Sequence, residues 1–130
     1  MVPQKLFWEQ HAYFGFSHLI ELTEGGISLQ KSTACIPFTV EPYCLVRPSE
    51  DQWNHFHQSL ISLNLDPRPP KHPMCDGFEV SCHIKFKGVR VKFNIVNPDF
   101  SGFDELSELV NQLTVCGDHP QGLLLDTDPE

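Results

Sequence analysis

Histidine and cysteine are the residue types of this chain best suited to metal binding, since it contains seven His and five Cys among 130 residues. His55 and His57 lie in a predicted helix, where residues two apart point roughly 200° away from each other. They cannot hold one ion together, and we expect both to be solvated. Cys116 and His119 form the nearest pair of possible zinc ligands, but no second short pair accompanies them. The sequence therefore predicts no metal ligands and no cofactor.

Catalytic residues are equally hard to assign from the spacing of nucleophiles and glycines. A thiol nucleophile needs a base within hydrogen-bond reach, and none of the five cysteines lies in a recognisable nucleophile turn. Gly25 and Gly26 fit a hairpin turn and lack the fingerprint of a phosphate-binding loop. We therefore predict a non-enzymatic protein with no catalytic residues. The alternative is an enzyme or metal protein whose site leaves no sequence pattern.

One face of a predicted hairpin is the first candidate binding surface. Apolar and polar residues alternate from Val80 to Ile95, which predicts two antiparallel strands with one face on a core and one in water. We name the polar face the basic strip, and it consists of His83, Lys85, Lys87, Arg90, Lys92 and Asn94. Such a strip is suited to an acidic protein or a nucleic-acid backbone. A solvated sheet face, on which Lys side chains prevent pairing with other chains, gives the same pattern. The strip also has no aromatic residue to stack on bases, which argues against single-stranded nucleic acid.

A second candidate binding surface is acidic and lies in the helix predicted after the hairpin. Asp104, Glu105 and Glu108, which we name the acidic surface, lie near the start of this helix, where carboxylates also stabilise the helix dipole. The formal net charge is −8, and the range 99–130 holds eight acidic residues and no Lys or Arg. This balance favours basic partners over nucleic acid and anionic membranes. We therefore expect the partner to be another protein with a basic surface.

The two surfaces together predict a small protein-binding domain, with a nucleic-acid-binding module that uses the basic strip as the alternative. In size, charge and architecture alone, the chain resembles small bacterial immunity proteins and phage-encoded inhibitors. Such proteins mask a basic surface of their target with acidic side chains. The resemblance implies an inhibitor or immunity function, although no motif assigns the chain to one such family.

Cysteine usage and hydropathy predict a cytoplasmic protein. An odd number of cysteines without tight repeated spacing fits thiols in a reducing compartment better than a disulfide framework. The first residues lack the uninterrupted apolar core of a signal peptide. No apolar run approaches the roughly 20 residues that a membrane span needs.

A hairpin followed by an amphipathic helix occurs twice, first over 16–65 and again over 78–115. Each hairpin needs a helix to cover its apolar face, so the pattern predicts an α+β fold. We expect an antiparallel sheet of four to five strands with two helices packed on one face, in the order ββ(β)α-ββα. A single domain over 1–116 should be followed by an acidic, flexible tail over 117–130.

The first helix has the clearest boundaries of the predicted elements. Ser49 is suited to the N-cap position, and Gln52 three residues later completes a capping-box pattern. Trp53 and Phe56 begin an apolar stripe at helical spacing. The Asp-Pro step that follows Leu65 disfavours continuation, so we expect the helix to end near this leucine.

Three other segments allow alternative interpretations. Residues 1–15 are rich in aromatic side chains, which predicts docking on the core as a short helical turn or as an extended arm. The proline-rich range 66–73 predicts a stiff surface connection, with a polyproline ligand as the alternative. The run Leu123–Leu125 interrupts the polar tail and is a candidate for docking on a groove or a sheet edge.

Overall fold

The computed structural model shows a six-stranded antiparallel sheet with two helices packed on one face. It describes residues 2–12, 16–33, 44–68, 78–116 and 122–125. The strands are β1 (Lys5–Ala12), β2 (Phe16–Thr23), β3 (Gly26–Thr33), β4 (Cys44–Val46), β5 (Phe78–Phe86) and β6 (Val89–Val96). The helices are α1 (Glu50–Ser62) and α2 (Phe103–Gln112). The predicted α+β class is confirmed, while the sheet has six strands instead of four to five.

The strand that the sequence pattern does not predict is β1, which lies inside the sheet in the spatial order β4-β3-β2-β1-β5-β6. Trp8 lies opposite Ile20 on β2 and opposite Cys82 on β5. Leu6 and Trp8 are both buried in the core. Phe7 stands between them on the other face, and this apolar residue hides the alternation that identifies a strand. The segment is therefore extended and packs on the core, as one of the two interpretations predicts, and it forms an interior strand rather than a helical turn.

The β5–β6 hairpin follows the predicted alternation closely, with its apolar residues buried and its polar residues on the opposite face. Its turn consists of Lys87 and Gly88, whose φ angles are +40° and +82°. Positive φ at both central residues is the geometry of the two-residue turns that match the twist of paired strands. Gly88 adopts this geometry without steric cost. Lys87 therefore belongs to the turn and does not continue the polar face of β5.

The first helix begins where the sequence predicts, with Ser49 as the N-cap of a complete capping box. Oγ of Ser49 accepts a hydrogen bond from the backbone N–H of Gln52 at 3.2 Å. Oε1 of Gln52 accepts one from the backbone N–H of Ser49 at 2.7 Å. The helix ends at Ser62, slightly before the expected end near Leu65.

The two histidines of α1 have different environments. His55 is exposed, as expected, whereas His57 is buried. Nε2 of His57 lies 3.2 Å from the carbonyl oxygen of Lys87, and the imidazole packs on Phe86 with ring centroids 4.7 Å apart. The expectation of a solvated side chain is wrong for His57, because this residue flanks the apolar stripe and α1 covers the end of the β5–β6 hairpin.

Aromatic side chains join the sheet to both helices. Trp8 stacks on Phe103 of α2 with ring centroids 5.8 Å apart, and it meets Phe93 of β6 edge-on at 6.3 Å. On the other side of the core, Trp53 of α1 meets Phe86 of β5 edge-on at 6.2 Å. The rings thus interlock in the edge-to-face and offset arrangements that aromatic pairs prefer. One continuous core serves both helices.

The leucine run near the end of the chain forms a 3-10 turn, Leu123–Leu125, beside the end of α2. Leu123 is fully buried. Oγ1 of Thr114 accepts a hydrogen bond from the backbone N–H of Leu123 at 2.7 Å, and Oδ1 of Asn111 accepts one from that of Leu124 at 2.8 Å. Parts of the predicted connection and tail lie outside the described residues, namely 69–73, 117–121 and 126–130.

Candidate functional site

The face of the sheet that is turned away from the helices carries the basic strip. In the register of β5 and β6, Lys85 lies opposite Arg90 and His83 lies opposite Lys92. These residues alternate with buried ones along each strand, so their side chains point away from the core. Lys87 is the exception, because it lies in the hairpin turn. Four of the five basic members of the strip therefore share one face.

Strand β1 extends this surface with two residues that do not belong to the basic strip. Lys5 lies opposite Lys85, and Phe7 lies opposite His83. A single row across three strands therefore holds Lys5, Lys85 and Arg90 side by side. We name the enlarged surface the basic patch, and it consists of Lys5, His83, Lys85, Arg90 and Lys92. Lys5 and Phe7 lie on this face only because β1 is a strand of the sheet.

The positive charges of the basic patch repel one another. Like charges at directly opposed strand positions destabilise a sheet. In the part of the chain that the structure describes, no carboxylate lies within ion-pair distance of Lys85, Arg90 or Lys92. Partial burial, followed by the positive charges of Lys5, Lys92, Arg90 and Lys85, lowers the pKa of His83 below its ordinary value. The patch is thus a region of positive potential that favours anionic partners.

A shallow depression of about 440 Å³ lies beside Phe7 within this face. Phe7 is half-buried, so part of its ring is accessible to a ligand. Glu21 of β2 lies opposite Phe7 and contributes a carboxylate to the lining. Nδ2 of Asn94 donates a hydrogen bond to Oγ of Ser81 on the neighbouring strand, and both residues line the depression. The lining therefore combines an aromatic ring, cations, an anion and neutral polar groups.

The acidic surface lies on the opposite side of the fold, in the helix layer. Asp104, Glu105 and Glu108 are all exposed on α2. Asp104 and Glu108 border a recess of about 290 Å³ beside the buried Phe103. The first turn of α1 adds two more acidic residues, and neither helix contains Lys or Arg. In the described residues, the two helices are therefore acidic, whereas the part of the opposite sheet face formed by β5, β6 and Lys5 of β1 is basic.

The pKa of His83 responds both to partial burial and to the positive charges around it. We expect its midpoint, followed by NMR of the imidazole, to lie below the ordinary value of 6.5 and to rise in the variant with Lys5→Gln and Lys92→Gln. Since the folded state binds the proton more weakly than the unfolded state, His83 should lower the stability of the fold as pH falls below about 6.5. His83→Gln should remove this part of the acid sensitivity. A midpoint at or above 6.5 in the unmodified chain would contradict this account of the patch.

Metal-binding side chains do not form a cluster within the described ranges. No three His, Cys, Asp or Glu side chains there lie close enough to hold a metal ion. Burial raises the pKa of the Cys82 thiol well above its usual range, so this thiol stays protonated at neutral pH. His119, which the sequence pairs with Cys116, lies outside the described residues. Neither α1 nor α2, the helices of the described ranges, has the length and apolar character needed to cross a membrane.

Comparison with known proteins identifies no relative of the chain. No protein-family model matches the chain, and neither curated proteins nor solved structures give a significant match to it.

Proposed function

We propose that the chain is a small, non-enzymatic protein-binding domain that acts through its charged surfaces, with the basic patch as the principal contact for an acidic segment of a partner protein. The observation that supports this proposal is the row of Lys5, Lys85 and Arg90 on an open sheet face. These cations destabilise the isolated sheet, because they repel one another. Carboxylates of a partner would remove this repulsion, and complementary charges of this kind also accelerate association.

The surroundings of the row favour a protein as the partner. Aromatic and arginine side chains at the centre of an interface often contribute most of its binding free energy, and Phe7 and Arg90 lie on this face. Glu21 lines the depression beside Phe7. Its carboxylate repels phosphate groups but accepts hydrogen bonds from the amide or ammonium groups of a protein. A mixed lining of this kind fits a peptide segment better than a uniform polyanion.

The acidic surface is the alternative contact of the same function. It fits a partner with a basic surface, as the net charge of −8 suggests, and it would serve an inhibitor or immunity protein that masks such a surface. Asp104 and Glu108 border a recess that can receive the side chain of a Lys or Arg from the partner. Because the acidic surface and the basic patch lie on opposite faces, substitutions can separate their contributions.

Single-stranded nucleic acid is a second candidate ligand of the basic patch. The observation in its favour is the position of Phe7, since an aromatic ring next to cations can stack a base while the cations bind its phosphates. The basic strip has no aromatic residue to stack on a base, but Phe7 of β1 supplies one on the same face. The excess of acidic residues, with Glu21 inside the depression, still favours a protein.

The proposal is tested with two arginine variants that change the charge equally. Arg90→Glu reverses a charge in the basic patch, whereas Arg68→Glu reverses an exposed charge away from it, where Arg68 pairs with Asp66 at 2.6 Å. We expect Arg90→Glu to weaken capture of the dominant protein partner from a lysate of the source organism by about tenfold or more at low salt, and Arg68→Glu to leave it unchanged. Circular dichroism and thermal unfolding of both variants verify that they are folded.

Two further measurements decide between the alternatives. If the acidic surface is the contact, the variant with Asp104→Lys and Glu108→Lys loses the partner while Arg90→Glu retains it, which would contradict a role for the patch. If nucleic acid is the ligand, the unmodified chain binds a single-stranded oligonucleotide more tightly than polyglutamate, and Phe7→Leu weakens oligonucleotide binding about tenfold. Tighter binding of polyglutamate than of the oligonucleotide supports a protein as the partner.

A further inference from the structure

Two cysteines that are far apart in the sequence meet at one end of the helix layer. The Sγ atoms of Cys44 and Cys116 lie 3.4 Å apart, and either thiol can donate a hydrogen bond to the other. Cys44 begins the edge strand β4, and Cys116 follows the end of α2. Both side chains are half-buried and pack against the core. The contact joins residues 72 positions apart, so it depends on the tertiary fold rather than on local chain geometry.

We propose that Cys44 and Cys116 form a redox-reactive pair of thiols that closes to an intramolecular disulfide. The sulfur atoms need to approach from 3.4 Å to the bond length of about 2.05 Å. Both thiols are partly exposed, so a small oxidant can reach them. Cys82 serves as the internal contrast, because it is 2% exposed and its thiol stays protonated. The inference does not depend on the proposed binding function.

The oxidant is a low-molecular-weight disulfide, for which glutathione disulfide is the probe. One of the two cysteines, as the thiolate, attacks a sulfur of glutathione disulfide, forms a mixed disulfide and releases one glutathione. The second cysteine then loses its proton, attacks the protein sulfur of the mixed disulfide and releases the other glutathione. Two protein thiols and one glutathione disulfide thus become one protein disulfide and two molecules of glutathione, and the protein loses two hydrogen atoms.

The disulfide would connect a short edge strand of the sheet to the segment that follows α2. Strand β4 has three residues and pairs with β3 alone among the described strands. A cross-link from Cys44 to Cys116 encloses α1, β5, β6 and α2 in one covalent loop, which restricts the unfolded chain more than a short loop does. Oxidation should therefore raise the midpoint of thermal unfolding, on the order of 10 °C for a loop and a domain of this size.

The test uses the full chain, equilibrated at neutral pH with glutathione disulfide and glutathione in a series of ratios. The samples are alkylated under acidic conditions and digested without reductant. We expect the oxidised protein to carry two alkyl groups fewer than the reduced protein and the main cross-linked peptide to join Cys44 to Cys116. The thermal midpoint should rise in parallel, and dithiothreitol should reverse both changes.

Single-cysteine variants provide the matched controls. Cys44→Ala and Cys116→Ala each leave one member of the pair, so each should take up glutathione without the cross-link and without the rise in midpoint. Dominant cross-links from Cys44 to Cys35 or Cys75 would overturn the proposal. The same holds if no oxidising ratio produces a cross-link, or if the midpoint of Cys44→Ala rises as much as that of the unmodified chain.

Discussion

Replacing Trp8 with alanine is expected to lower the free energy of unfolding by about 3–5 kcal/mol, the usual cost of removing a fully buried aromatic side chain. Trp8 has no exposed surface and lies on the strand that joins the two halves of the sheet. Its ring contacts Phe103 of α2 and Phe93 of β6. The substitution therefore leaves a cavity between β1, β6 and α2. Since domains of this size are stable by only about 5–15 kcal/mol, much of the stability should disappear.

Urea unfolding followed by circular dichroism measures this effect, and the adjacent residue provides its control. Phe7→Ala removes an aromatic ring from the same strand, but the ring is half-buried on the outer face. We expect this control to cost less than about 2 kcal/mol, because less apolar surface returns to water. Equal losses of stability for Trp8→Ala and Phe7→Ala would contradict the assignment of Trp8 to the core face and Phe7 to the outer face of β1.

Replacing Leu123 with alanine is expected to destabilise the fold by about 2–5 kcal/mol, although the residue lies in a segment that the sequence assigns to a tail. Leu123 is fully buried, and its backbone N–H donates to Oγ1 of Thr114. Asn111 holds the next residue through its side-chain oxygen. Gly122 permits the turn, since its φ of +95° is in the left-handed region and an added Cβ would lie 2.3 Å from the Asn111 side chain.

The same urea experiment with Ile61→Ala serves as the comparison for Leu123→Ala. Ile61 is 55% exposed on α1, so we expect its truncation to cost less than about 1 kcal/mol. Thr114→Val offers an independent measurement, since it keeps the shape of the side chain and removes the acceptor of the Leu123 N–H. We expect a loss of about 1–3 kcal/mol from that unsatisfied buried donor. If Leu123→Ala were as mild as Ile61→Ala, the 3-10 turn would not be part of the core.

Local sequence signals were sufficient for the elements whose stabilising contacts are themselves local. The capping box at Ser49 and Gln52 depends on residues three apart, and the alternation of β5 and β6 depends on neighbours along each strand. Both were predicted correctly. The members of the basic strip other than Lys87 share one face for the same reason, because the period of two residues along a strand determines which side chains share a face.

The features that the sequence did not predict depend on contacts between distant segments. Strand β1 is stabilised by β2 and β5, and its own pattern is obscured by Phe7, so neither Lys5 nor Phe7 could be assigned to the basic patch. His57 is buried because α1 meets the β5–β6 turn at Lys87. The contact between Cys44 and Cys116 likewise follows from how β4 and α2 are placed, which no spacing in the sequence indicates.

The interior position of β1 also determines the order in which the sheet can be completed. β1 precedes the other described strands, yet one of its two neighbours, β5, begins only at Phe78. During translation, β1 can pair with β2 early, but its other edge stays open until β5 has left the ribosome. Sheets built from such non-local pairs fold slowly, and an open edge beside Leu6 and Trp8 invites association with other chains. Nascent chains that stop before Phe78 should therefore aggregate more readily than chains that include β5 and β6.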